Sequence, residues 1–329
     1  MKIAGRLIGI VIFIYILMGI DLQRMMSAVL SIPPFYALVL ALAVLPLMLL
    51  RGARWKVVAD GLDLHLDTKE ATEALCLAQL ANLVLPGSFG DLIRIPYMKN
   101  RGNRVDRTII SILLDAILGS VVPFTLGVLA LAVILEITLS VEALLIGGIW
   151  LVGGYIFYRI VRATLWSRFM QARLKRLMNE GIRGRSFFTL PSMIRSIGSK
   201  RVALSLLLAL LWFIVYVTQA YVLAQILGVA VQWEYLAFTM GVTMIVITVP
   251  VTIQGLGLRE GALLFMLTPI AIDPVLIISF SLTLMVFNLM PAIAGFIIWI
   301  RNPFVDITDQ DVLDSDAILP TDSLFETGV

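Results

Sequence analysis

Two apolar stretches of this sequence are interrupted by proline, glycine and charge, and that pattern constrains the fold more than any other feature. The first runs from Ala74 to Leu85, breaks at Pro86-Gly87-Ser88-Phe89-Gly90 and resumes from Asp91 to Met98. The second runs from Tyr235 to Val249, breaks at Pro250-Val251-Thr252-Ile253-Gln254-Gly255-Leu256-Gly257 and resumes from Leu258 to Leu267. A helix needs about 20 apolar residues to cross a hydrocarbon core of about 30 Å. The arms of the first stretch are too short to span, and those of the second would be helices of only about 22 and 15 Å. Irregular backbone at membrane depth is tolerated only where protein or a water-filled cavity surrounds it. Each stretch is therefore expected to be a re-entrant hairpin lining a cavity, over 74–98 and 235–267.

The rest of the chain supplies the membrane. Hydrophobic residues make up 60%, charged residues only 14%, and the mean hydropathy is +0.99. A soluble domain is usually about 25% charged and cannot hide that much apolar surface. Six runs read as full spans: Leu7–Ile20, Phe35–Leu50, Ile109–Leu135, Val141–Tyr158, Val202–Leu227 and Val275–Ile300. The first is short and follows Lys2 and Arg6, but no small-x-small cleavage site comes after it, so it reads as a retained anchor. Basic clusters mark the cytoplasmic side: Arg51, Arg54 and Lys56; Lys99, Arg101 and Arg104; and eleven basic residues against one acid, Glu180, between Arg159 and Arg201. Asp273 and Pro274 then fall outside. The expectation is an all-α, multi-pass protein of the cell membrane with both termini cytoplasmic.

Each half has the order span, span, hairpin, span, and the halves start on opposite sides. That is the grammar of an inverted repeat, with the first hairpin opening to the cytoplasm and the second outward. The alternative is eight ordinary spans, two of them short. The chain divides into a first repeat (1–158), a basic segment (159–201), the rest of the second repeat (202–301) and a tail (302–329). The basic segment, with Trp166, Phe169, Phe187 and Phe188 interleaved, suits an interfacial helix on anionic lipid rather than nucleic acid. The tail carries seven acids and no base, a composition expected to be disordered.

The chemistry concentrates at the two breaks. Asp91 and Arg94 are three residues apart at a helix start, hence on one face; Arg259 and Glu260 follow Gly257 directly. A charge inside the bilayer costs about 2.5 to 3.5 kcal/mol on insertion scales, so these four call for pairing or a ligand. Two arginines beside two half-helix amino termini suit an anion of phosphate type, while simple pairing of each arginine with its neighbouring acid would brace the hairpin instead. Asp115, in the middle of a span, reads as a counter-ion to Arg94, a proton carrier or a structural hydrogen-bonder. Gln219 and Asn288 read as helix-packing polar residues. Asn82 and Gln254 stand beside the breaks, which Pro86, Gly87, Gly90, Gly255 and Gly257 shape, and all seven join the candidate site with Asp91, Arg94, Asp115, Arg259 and Glu260.

No cofactor or metal is expected: one cysteine, Cys76, cannot form a disulfide framework, and one histidine, His65, cannot build a His-rich metal centre. Gly255-x-Gly257-x-x-x-Gly261 is one residue too long for a dinucleotide loop, and no Gly-Lys-Ser/Thr follows Pro86-Gly87-Ser88. Ser88 has no histidine placed to form a triad.

The run Asn82-Leu83-Val84-Leu85-Pro86-Gly87-Ser88-Phe89-Gly90-Asp91-Leu92-Ile93-Arg94, followed by Pro250-Val251-Thr252-Ile253-Gln254-Gly255-Leu256-Gly257-Leu258-Arg259-Glu260, resembles the paired signature of the lysylphosphatidylglycerol synthase transmembrane-region family, also called flippase-like. The resemblance extends from about Arg6 to Arg301. It implies a membrane region that moves aminoacylated phospholipids, or lipid-linked intermediates of glycan assembly, between leaflets, and it marks Asn82, Pro86, Gly90, Arg94, Gly257, Arg259 and Glu260 as the site. The family pattern often has a basic residue at the position of Ser88 and Glu at that of Asp91. The soluble synthetase domain is absent from this sequence, so the chain is not expected to make lysylphosphatidylglycerol.

The resulting expectation is a lipid translocase rather than an enzyme. Arg94 and Arg259 would bind the phosphate of an anionic membrane lipid, Asp91 and Glu260 would orient them, and Asp115 would line the route. One rival is an enzyme acting on a lipid-linked substrate through Asp91, Asp115 or Glu260. The other is a non-transporting partner that docks a glycosyltransferase or lipid-synthesis enzyme through its basic segment and acidic tail. For topology, Asn100→Cys and Ser192→Cys in a Cys76→Ser background should react with an impermeant maleimide only from the cytoplasm, and Asp273→Cys only from outside. Labelling of Asn100→Cys from outside would turn the first hairpin into a span.

Overall fold

The structure, a computed structural model, describes residues 18, 21–83, 85, 89–134, 197–247 and 255–301, with backbone only at 22, 128 and 130–134. The expected anchor (apart from Met18), the span Val141–Tyr158, nearly all of the basic segment, the tail, and Pro86, Gly87 and Gln254 lie outside the described residues. Every regular element among those described is helical: α1 (Leu22–Leu30), α2 (Pro34–Leu42), α3 (Val44–Asp60), α4 (Thr68–Asn82), a 3-10 turn (Phe89–Ile93), α5 (Arg94–Lys99), α6 (Val105–Ile134), α7 (Ser199–Ile226), α8 (Trp233–Ile247), α9 (Leu258–Leu267), a second 3-10 turn (Thr268–Ile270) and α10 (Pro274–Arg301).

Among the described residues, four helical segments are long and apolar enough to cross a membrane: Pro34–Asp60, Val105–Gly127, Ser199–Ile226 and Pro274–Arg301. Their outer faces stay apolar. On α7, Leu204, Leu207, Leu211 and Ile214 are exposed at helical spacing, while Phe213, Tyr216, Val217 and Ala220 turn inward to the core. In water such a face would be a liability; in lipid it is the expected surface.

Two boundaries correct the reading from sequence. The apolar run ending at Leu50 does not end the helix: α3 continues through Arg51, Arg54 and Lys56 to Asp60, and Arg54 is buried rather than part of a surface cluster. The cause is a carboxylate on α6, described below. The leading arm of the first interrupted stretch begins at Thr68, not Ala74, because Asp67 and Glu70 close a capping box: Glu70 N donates to Asp67 Oδ1 at 2.7 Å and Asp67 N to Glu70 Oε2 at 3.1 Å. A lesser break between α2 and α3 at Ala43 lies just ahead of Pro46, which cannot donate to the carbonyl four residues back. Gln219 of α7 compensates nearby, its Nε2 donating to the Leu40 carbonyl at 2.8 Å.

Glycine sets the closest approaches, as is usual where helices pack in lipid. A Cβ at Gly295 of α10 would lie 2.2 Å from the Cys76 carbonyl oxygen of α4, and one at Gly241 of α8 would lie 2.7 Å from the Gly127 Cα of α6. Thus α4 rests on α10 and α8 on α6. α7 runs antiparallel along α3, with Ile197 against Gly61 at one end and Gln219 bonded to Leu40 at the other. Gly295→Ala is expected to overpack the α4–α10 contact at a cost on the order of 1 to 3 kcal/mol. Gly261→Ala, with nothing within 4 Å of its new methyl, should leave the melting temperature of detergent-solubilised protein unchanged or slightly raised. Equal losses in the two variants would contradict this packing.

Candidate functional site

Around the first break the structure brings together more charge than the sequence reading assembled. α5 starts at Arg94, and Asp91 precedes it on the 3-10 turn. Arg94 Nη1 donates to Asp115 Oδ2 of α6 at 3.1 Å. Its Nη2 lies 3.0 Å from Asp91 Oδ1, an ion-pair contact outside hydrogen-bond geometry, since that oxygen accepts no hydrogen bond. The indole of Trp55 covers the guanidinium, with Cζ 4.8 Å from the ring centroid, and Trp55 Nε1 is itself held by Ser111 Oγ at 3.1 Å. The other oxygen of Asp115 accepts from Arg54 Nε at 2.8 Å. Gly119, one turn beyond Asp115, makes room: a Cβ there would lie 2.5 Å from Arg54 Nη1.

Arg54 is the residue that sequence reasoning missed, taken there for a cytoplasmic flank. Its signal was available: an unpaired acid deep in one span needs a base at matching depth in another. Arg51, one turn earlier on α3, lies in the electrostatic field of Asp91, Asp115, Arg54 and Arg94. It is half-buried and, among the described residues, has no ion-pair partner within 4 Å. Three guanidiniums thus surround two carboxylates, and one positive charge is left over.

Asn82 and Gly90 have a different place. Asn82 Oδ1 accepts from Gly90 N at 2.7 Å, and a Cβ at Gly90 would lie 2.5 Å from the Ala78 carbonyl oxygen. This contact returns the chain after the break onto the end of α4. Both residues act as a clasp on the loop, and only a residue without Cβ fits the second position.

At the second break, Gly255 and Gly257 take the left-handed φ values of 73° and 83° that open α9. Glu260 Oε2 accepts from Gly257 N at 2.7 Å. Glu260 Oε1 accepts from Ser281 Oγ of α10 at 2.6 Å and from Arg259 Nε at 3.1 Å, and Arg259 Nε also lies 3.1 Å from Ser281 Oγ. Arg259 and Glu260 are buried. Arg259 Nη2 is buried without a hydrogen-bond partner. Tyr216 of α7 lies within electrostatic reach of Arg259 and beside Asn288 of α10.

Away from both breaks, an open apolar depression of about 500 Å³ is lined by Tyr235, Leu264, Phe265, Met266, Thr268 and Pro269. It sits at the far end of α9 from Arg259 and holds no charged group. Among the described residues no group of three or more His, Cys, Asp and Glu side chains is placed to hold a metal ion.

A family model described as the lysylphosphatidylglycerol synthase TM region matches residues 2–295. No curated protein matches the chain significantly.

The bridging geometry ranks the acids. Asp115, its side chain 2% exposed and shared by two arginines, should be far less replaceable than Asp91, which is 16% exposed and meets one. Asp115→Asn is expected to cost about 3 to 5 kcal/mol, the range for breaking a buried pair, and to lower the thermal midpoint well below that of Asp91→Asn. Arg54→Gln should behave like Asp115→Asn; a silent Arg54→Gln would return that residue to the surface.

Proposed function

Since the chain belongs to the lysylphosphatidylglycerol synthase transmembrane-region family, a family of membrane proteins tied to lipid metabolism, we propose that it is a translocase that moves a lipid with an anionic headgroup between leaflets. The observation that carries this reading is the uncompensated positive charge at the first break. Asp115 and Asp91 offset the charges of Arg54 and Arg94, and Arg51, half-buried and without an ion-pair partner among the described residues, is the cation left to meet a phosphate. This shifts the roles expected from sequence. Arg94 becomes the brace that holds the cluster together, and Arg51 becomes the group that grips.

The proposal includes six spans and two opposed re-entrant hairpins related by an inverted repeat. Its support is the reciprocal packing: α4 of the first interrupted stretch rests on α10, α8 of the second rests on α6, and α3 pairs with α7. The chemistry repeats as well. Arg94 reaches a partner 21 residues later on the following helix, and Arg259 reaches one 22 residues later. The proposal places the protein in the cell membrane with the Asp60 end of α3 towards the cytoplasm. Transport rather than catalysis is favoured because Asp91, Asp115 and Glu260 each face an arginine at ion-pair distance, so that these acids are engaged in holding the helices together.

The test is translocation of fluorescent phosphatidylglycerol in proteoliposomes, read beside the melting temperature. Arg51→Gln should keep the fold and drop translocation towards background; normal translocation would sink the role of the excess charge. For the second break, Arg259→Gln with Glu260→Gln should recover stability relative to the worse single variant, because removing a buried pair together can be nearly neutral. Translocation should stay low in that double variant. Recovery of both readouts would leave Arg259 a brace only.

A further inference from the structure

The two charged clusters lie at different levels along the packed helices α3 and α7. Because α7 runs antiparallel to α3, with Ile197 against Gly61 and Gln219 bonded to Leu40, the residue of α3 opposite any residue of α7 can be read by counting. Tyr216, which lies within electrostatic reach of Arg259, stands near the level of Ala43. Arg51 and Arg54 lie eight and eleven residues further along, about 12 to 16 Å down the helix axis. The middle of the span Pro34–Asp60 falls between these levels.

The upper cluster also carries unused donors. Arg259, its side chain 8% exposed, spends Nε on Glu260 and Ser281 and leaves Nη2 unpartnered. Trp212, one turn before Tyr216, stacks on it with centroids 5.2 Å apart and planes 6° apart. Trp212 Nε1 is likewise buried and unpartnered. Tyr216 therefore links two donors, one of them charged, that have no acceptor among the described residues. The nearest carboxylate, Glu260, has each oxygen already engaged. Donors without acceptors fit a ligand that offers only acceptor oxygens, as a phosphodiester does.

We propose that Arg259 and Trp212 form a second phosphate station, separate from the Arg51 cluster and on the opposite side of the midplane, so that a lipid headgroup is passed between two stations. This deepens the translocase reading and rests on it. It replaces one headgroup held between both hairpins with two sites of unequal charge, the Arg51 station carrying a net positive charge and the Arg259 station balanced by Glu260.

The experiment is calorimetric titration of the full chain in detergent with dihexanoyl phosphatidylglycerol, and separately with inorganic phosphate. Two binding events per chain are expected. Trp212→Phe, which keeps the stacked ring and loses the N–H, should weaken one event about tenfold, the effect of losing one hydrogen bond to a charged oxygen. Arg259→Lys should weaken the same event, and Arg51→Gln the other. A single event weakened by all three variants would overturn the two-station arrangement while leaving the translocase reading intact. Inorganic phosphate binding at the Trp212 station as tightly as the lipid would make it a free-anion site and overturn the proposal. No lipid binding by the wild-type protein, together with no translocation, would remove the translocase reading itself.

Discussion

Asp115 ties the described part of the molecule together. Its two carboxylate oxygens are taken by different arginines on different elements, Arg54 of α3 and Arg94 of α5, while Asp115 itself belongs to α6. Removing an ionised carboxylate from water is affordable only when its attraction to a partner and further hydrogen bonds offset the desolvation. The sharing meets that requirement for three groups at once and fixes three backbones relative to one another. Gly119 is required for Arg54 to lie flat on α6, and Trp55 closes the free face of Arg94. The helix boundary at Asp60 follows as well, because α3 must carry Arg54 past the apolar run to reach its partner.

The second break solves the same problem with smaller means. In the position where Asp115 meets Arg94, Ser281 meets Arg259, so the countercharge comes from Glu260 on the same short helix. Glu260 also satisfies the amide of Gly257, one of the orphan donors at the start of α9. The pair is therefore a helix cap and a brace in one, neutral overall, with a single donor edge left over. The two breaks share an architecture and differ in charge. On the proposal above, that difference gives them different affinities for the same headgroup.

How much of this was legible in the sequence depends on how local the determining interaction is. α9 was readable to the residue, from Leu258 to Leu267, because Gly257 and the apolar run bound it. The ends of α7 and α10 were readable to within a few residues for the same reason. The pairing of Asp91 with Arg94 followed from helical spacing, and Asp115 was suspected from depth alone. The start of α4 at Thr68 was also local, written in the Asp67-x-x-Glu70 capping box, and was passed over in favour of hydropathy. Arg54 was a failure of a different kind. At the end of an apolar run a basic residue obeys the positive-inside rule, and its ion pair spans 61 residues of sequence, so nothing in its neighbourhood distinguishes an anchor at the interface from a ligand of a buried acid. Trp212 was invisible for the same reason, since an indole in an apolar helix is ordinary until its N–H is found without a partner.

The separation between arginines that brace and arginines that grip carries a mechanistic consequence. A site that moves its ligand must bind well enough to admit it and weakly enough to release it, a condition shared with ion filters. If Arg51, Arg54 and Arg94 were all free, the buried field of three guanidiniums would hold a phosphate too strongly to let it leave, and without a ligand the protein would bear the cost of burying three unpaired charges. Asp91 and Asp115 cancel two of the three. What remains is one positive charge on half-buried Arg51, with the unpartnered Nε of Arg94, at one level and the unpartnered Nη2 of Arg259 at another. Neither is a tight phosphate clamp of the kind that several convergent arginines make. On the proposed translocase reading, two weak stations about half a hydrocarbon core apart divide the crossing into shorter steps, each offering the headgroup hydrogen-bond donors. The carboxylates, which at first sight oppose an anionic substrate, are on this reading what keeps the path from becoming a trap.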